Sequence, residues 1–125
     1  MIITNFFAGL LLFSNVTLLA ILVPGGPIEN RDFSNLKGVT FWGFNIFLIS
    51  LGLATFVNVY LLFENQEISI IMGIIISIFY MFVYLLDLGK IFPKSPTKMS
   101  NSLMLMEIIN LMISILSFIF LISIY

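Results

Sequence analysis

The sequence predicts an all-α polytopic membrane protein, with four transmembrane helices in an antiparallel bundle. Three observations carry that prediction. Of the 125 residues, 61% are hydrophobic and only 9% are charged, against about 45–50% and about 25% in soluble domains. Four apolar stretches, 2–23, 39–63, 68–88 and 103–125, each reach the roughly 20 residues a membrane helix needs. The remaining residues make only short connections, so residues 1–125 read as a single four-helix domain with no room for a soluble one. In lipid, runs of this length pair every backbone N–H and C=O only as helices. They also lack the alternation of a barrel strand.

Span 1 is expected to be retained rather than cleaved as a signal peptide. It has no basic n-region, its apolar run exceeds about 7–15 residues, and no small-x-small site follows. Pro24-Gly25-Gly26-Pro27 ends it, because Pro lacks the helical N–H and Gly tolerates positive φ. The connection to Gly38 carries Glu29, Arg31, Asp32 and Lys37, whose charges cancel. That balance favours neither an anionic nor a cationic partner. Span 2 follows, with Trp42 at its near edge as an interface anchor and Tyr125 anchoring the far end of span 4. Spans 2 and 3 are separated only by Glu64-Asn65-Gln66-Glu67, so they form a tight antiparallel hairpin. The third connection, Gly89 to Ser102, holds Lys90, Lys94, Lys98, Pro93 and Pro96. Ser95-Pro96 has the form of an N-cap followed by Pro at the first helical position. Span 4 is therefore expected to begin as helix ahead of the bilayer.

The basic residues fix an expected orientation. Arg31 and Lys37 lie in the first connection and Lys90, Lys94 and Lys98 in the third; the second connection and both ends have none. Lys/Arg-rich short loops stay cytoplasmic. The expected topology is N-out and C-out, with 24–38 and 89–102 on the cytoplasmic side and Glu64/Glu67 outside. The expected location is a bacterial inner membrane or the membrane of an energy-transducing organelle.

Composition also narrows the chemistry. The chain has no Cys and no His, which removes disulfides, thiolate or imidazole metal sites, and Ser-His or Cys-His nucleophile pairs. No catalytic residue, metal or cofactor is expected. A net charge of −1 with no basic cluster in the sequence gives no reason to expect nucleic acid as a partner.

The candidate site residues are the polar groups inside the apolar spans. Glu107 lies about 8 Å past the start of the apolar part of span 4, at about 1.5 Å per residue. An ionisable group there is a functional candidate, because a charge in lipid is costly. Glu107, Asn110, Ser114 and Ser117 share one helix face, while Leu105, Ile109, Met112, Leu116 and Phe120 lie on the opposite, lipid-like one. The plainer reading of the polar face is interhelical glue; the sharper one is a proton or cation site. In span 3, Ser69, Gly73 and Ser77 form a small-xxx-small stripe that admits a close neighbour, with span 2 the expected one. Tyr80, Tyr84 and Asp87 continue that face. Asp87 reads either as a solvated helix-end carboxylate near Lys90 or as one half of an Asp87–Glu107 entrance. Asn15, Asn45 and Asn58, with Ser14, Thr17, Ser50, Gly52 and Thr55, read as packing groups of spans 1 and 2. The sequon Asn15-Val16-Thr17 lies mid-span, where it cannot be glycosylated. The Met residues, lacking Cys or His partners, read as adaptable packing.

The function expected from these features is a non-catalytic accessory or structural subunit. Its partners would be the lipid bilayer and other membrane-protein subunits, or further copies of itself. The alternative is a small homo-oligomeric carrier or channel handling a proton or cation at Glu107 with Asp87 and Asn110.

Overall fold

A computed structural model describes residues 2–23 and 26–125. It is all-helical: α1 spans Ile2–Leu22, α2 Gly38–Phe63, α3 Ile68–Leu88 and α4 Asn101–Ile124. All four are long and apolar enough to cross a membrane. They pack in a ring, α1 on α2, α2 on α3, α3 on α4 and α4 back on α1, while α1 and α3 touch only slightly across the middle. Leu12, Leu62, Tyr80, Leu103 and Leu121 are wholly buried at the centre. Aromatic pairs zip the seams between helices: Phe6 with Phe63 at 5.2 Å, Phe7 with Phe120 at 5.0 Å, and Phe47 with Phe79 at 5.8 Å. Phe120 thus leaves the outward face assigned to it, because its ring packs edge-on against α1. Leu105, Ile109, Met112 and Leu116 stay exposed.

The helix ends follow from backbone chemistry. At the end of α2, Asn65 takes φ 57°, and its amide donates to Leu62 O while that of Gln66 donates to Leu61 O, both at 3.0 Å. This is a Schellman closure, which satisfies carbonyls that the last turn leaves without partners. α3 ends in the same way. Lys90 takes φ 60°, its amide donates to Asp87 O at 3.0 Å, and that of Ile91 donates to Leu86 O at 2.9 Å. Gly89 sits one position before the left-handed residue, so a lysine bears that conformation.

The start of α4 differs from the expected one. Ser95-Pro96 does not open the helix; Ser100 is the cap, its Oγ accepting from Leu103 N at 3.2 Å. The Ser95 hydroxyl is instead donated to Asp32 O, across to the first connection. The two longer connections are knitted together at further points. Asn30 Nδ2 donates to Lys98 O at 2.8 Å, Ser100 N donates to Asn30 Oδ1 at 3.0 Å, and Asp32 N donates to Thr97 Oγ1 at 3.2 Å. Of the expected terminator of α1, Pro24 and Gly25 lie outside the described residues; Gly26 N donates to Val23 O at 2.8 Å.

Candidate functional site

The interior is unusually polar for so apolar a chain. Buried along the middle are Asn5, Asn15, Thr55, Asn58, Ser69, Ser77, Asp87, Glu107, Asn110, Ser114 and Ser117. An amide in an apolar setting must find partners or bear a desolvation penalty, and α1 and α4 solve this by pairing two of them. Asn15 Nδ2 donates to Asn110 Oδ1 at 2.7 Å and to Asn110 O at 3.2 Å; Asn110 Nδ2 donates back to Asn15 O at 3.2 Å. Asn110 Nδ2 also donates to the Tyr84 hydroxyl at 2.8 Å. Between α2 and α3, Thr55 Oγ1 and Tyr80 Oη lie 2.9 Å apart, and Asn58 Nδ2 donates to Ser69 O at 3.0 Å.

The serines work differently. Ser77 donates to Gly73 O at 2.8 Å, Ser114 to Leu111 O at 2.7 Å and Ser117 to Ile113 O at 2.9 Å, each within its own helix. Ser117 also donates at 3.4 Å to Asn15 Oδ1. Their contribution between helices is mostly smallness, with the asparagines making the shorter cross-helix bonds. The Gly73 stripe meets more than α2: a Cβ there would lie 2.8 Å from Leu121 Cδ1 on α4, 3.1 Å from Asn58 Nδ2 on α2 and 3.4 Å from Leu12 Cδ1 on α1. Asn45 is buried and turns to its own Phe41 O at 3.1 Å. Ser14 and Thr17 are exposed and donate to Leu10 O and Phe13 O of their own helix, which spares their hydroxyls an unpaired donor on an apolar face.

At the end of this polar seam lies an ionic cluster built around Arg31. Its guanidinium grips Asp87 with two bonds, Nη1 to Oδ1 at 2.5 Å and Nη2 to Oδ2 at 2.9 Å. The same group holds Glu29, with Nη2 to Oε1 at 2.7 Å and Nε to Oε2 at 3.1 Å. Glu107 Oε2 stands 3.8 Å from Nη2. The side chains of Arg31, Glu29 and Glu107 are exposed by only 6%, 1% and 1%. Both carboxylate oxygens of Glu107 lack a hydrogen-bond partner among the described residues. Arg31 Cζ also lies 5.0 Å from the centre of the Phe33 ring, a cation–π contact. Burial works to lower the guanidinium pKa, but the hydrogen bonds and charges of Asp87 and Glu29 outweigh it and hold the pKa above its ordinary value. Nearby, exposed Asp32 accepts from Ser34 N at 2.9 Å, which lowers its pKa.

The structure therefore brings Asp87 and Glu107 to one place, as the sequence pattern suggested, and puts a cation between them that the pattern did not. Asp87 is a buried partner of Arg31 and not a solvated helix end beside Lys90. Arg31 and Glu29 are the members that sequence reasoning missed, because a charge-balanced loop looks as if it has no internal business. One signal was present: Arg31 is the only arginine among five basic residues, and arginine is the residue suited to buried bidentate pairing with carboxylates. Among the described residues, no three of His, Cys, Asp and Glu stand so as to hold a metal ion. Asp87 and Arg31 also border a cavity of about 590 Å³ whose other walls come from the third connection and from α4.

Fold and site together define a class: four helices among the described residues, each long and apolar enough to span a membrane, around a buried set of amides, hydroxyls and charged groups. Residues 3–124 match the family model described as Domain of unknown function (DUF8051), and the chain belongs to that family. No curated protein and no solved structure matches it.

Proposed function

We propose that the four helices cross a bilayer as an antiparallel bundle, and that the chain is a non-catalytic accessory subunit docking against other membrane proteins. The observation that carries this reading is the division of its surface from its interior. Inside, amides and hydroxyls from all four helices are spent largely on one another or on their own helices. Outside, rows of Ile, Leu, Phe and Met are exposed along every helix, which suits lipid and apolar helix faces and is unsuited to water. The pairings Asn58–Ser69 and Thr55–Tyr80 support antiparallel α2 and α3, since one residue number falls as the other rises. The Arg31 cluster fits the same arrangement, with the first connection, the end of α3 and the start of α4 all at one end. Purification in a gentle detergent tests the reading. A stable hetero-complex is the expected result, and a clean homo-oligomer would favour the second reading.

That second reading is a homo-oligomeric proton or cation carrier, and Glu107 favours it. Both of its buried carboxylate oxygens lack a hydrogen-bond partner among the described residues, so hydrogen-bonded glue does not account for its presence. Glu107→Gln separates the two, because the amide keeps the shape and can neither release a proton nor carry charge. Under the accessory reading, Glu107→Gln assembles normally and shows no deficit in proton or cation flux in vesicles. A strong parental flux abolished by Gln would replace the accessory reading with the carrier.

A further inference from the structure

We propose that the cavity beside the Arg31 cluster binds the phosphate headgroup of an anionic lipid, whose acyl chain lies along the outer face of α4. The inference rests on the membrane embedding proposed above. Lys90, Lys94 and Lys98 all line this one cavity of about 590 Å³, although they are spread over nine positions of the sequence. All three are exposed, and none forms an ion pair with a carboxylate of the described residues. Three unpaired ammonium groups around one hollow leave it with a strong demand for an anion. Asp87 is the one carboxylate among the residues lining the cavity; it shares the charge of Arg31 with Glu29, and the three ammonium groups outnumber it.

The part of the lining that α4 contributes is apolar and identifies the rest of the ligand. Met104 and Ile108 line the cavity and are 39% and 38% exposed. They stand one helical turn apart on α4, and Met112, a further turn on, is 58% exposed. A hydrocarbon chain leaving the cavity would meet this row directly. Cationic rim and apolar strip thus match a phosphate that carries a tail, and the size falls within the roughly 300–1,000 Å³ of ordinary ligand pockets. Basic pockets between helices on the cytoplasmic side are known takers of anionic headgroups.

The experiment is native mass spectrometry of the full chain in detergent with phosphatidylglycerol, phosphatidylcholine or inorganic phosphate added. Phosphatidylglycerol should be retained in preference to phosphatidylcholine, and inorganic phosphate should not displace it. Each lysine near an anionic surface contributes about a fivefold affinity factor, so K94Q/K98Q should weaken retention by about 25-fold. Lys37→Gln, on the same side but outside the cavity, should leave it unchanged. Equal retention of the two lipids, or an unaltered K94Q/K98Q, would overturn the inference. Displacement by inorganic phosphate alone would overturn the tail and assign the cavity to a free phosphate. The membrane reading fails by a separate measurement, release of the chain from membranes by alkaline carbonate, so the two failures cannot be confused.

Discussion

Arg31 is taken out of water to hold carboxylates from three separate parts of the chain. Breaking a buried ion pair from one side leaves an uncompensated charge, which costs about 3–5 kcal/mol. Arg31→Met should therefore lower stability by about that amount, read as thermal unfolding in detergent. Arg31→Lys should recover only part of the loss, since an ammonium cannot reproduce the fork that spans Asp87 and Glu29. Combining Arg31→Met with Asp87→Leu should recover only part of the loss, because Glu29, whose side chain is 1% exposed, is still left without its cation. An Arg31→Met protein as stable as the parent would mean that the cluster contributes nothing to folding. The sign of the pH effect follows from the raised pKa of Arg31. Such a group stabilises fully below its unfolded pKa, and the contribution is lost only as pH rises through the folded one. Both values lie far above neutrality, so the arginine's own ionisation should add no slope to stability between pH 5 and 9.

At the scale of the helix, backbone room decides what substitutions do. A Cβ at Gly52 would lie 3.7 Å from Leu19 Cδ2 and from Val16 Cγ2, an ordinary contact. Gly52→Ala should be tolerated or gain up to about 1 kcal/mol from helix propensity. Gly73 has no such room beside Leu121 and Asn58, so Gly73→Leu should cost about 1–3 kcal/mol by overpacking. Ile74→Leu, the neighbouring position, should stay nearly silent. Equal unfolding temperatures for Gly73→Leu and Ile74→Leu would misplace this contact. Lys90→Gly should stabilise the end of α3 by about 1 kcal/mol, because glycine occupies the left-handed region without the penalty a side chain brings. The helices themselves were legible in the sequence to within two residues at each boundary, since an uninterrupted apolar run has only one way to satisfy its backbone. The start of α4 was less legible. Ser95-Pro96 has the right local form for a cap, but Ser95 bonds to Asp32 instead, and a contact across 63 positions leaves no mark on local spacing.

The molecule as a whole is readable in outline and opaque in its wiring. The polar face of α4 and the carboxylates Asp87 and Glu107 could be picked out, because a polar residue in an apolar run stands out against its surroundings. The identity of their counter-ion could not, since Arg31 lies in a connection of ordinary composition and its meeting with Asp87 spans 56 positions. Under the proposed topology, both longer connections face the cytoplasm. The chain lacks cysteine, so introduced thiols can be labelled without background. Asn65→Cys should react with an impermeant reagent added outside intact cells, and Ser34→Cys should be protected until the membrane is opened. The reverse pattern would invert the molecule and place the lysine-lined cavity on the outer leaflet.

The distance in sequence between Arg31 and its partners also has a consequence in time. A ribosome makes Glu29 and Arg31 together, and the two can neutralise each other while the remainder of the chain is still unmade. Asp87 arrives 56 residues after Arg31, and Glu107 comes later still, when α1, α2 and α3 have already been synthesised. The cluster thus cannot close before α3 and the first turns of α4 are made, and until then the nascent protein carries an arginine whose final company does not yet exist. Chains stalled before residue 87 should be prime targets of membrane quality control, and a pulse-chase with truncations ending on either side of that residue should find their lifetimes sharply different.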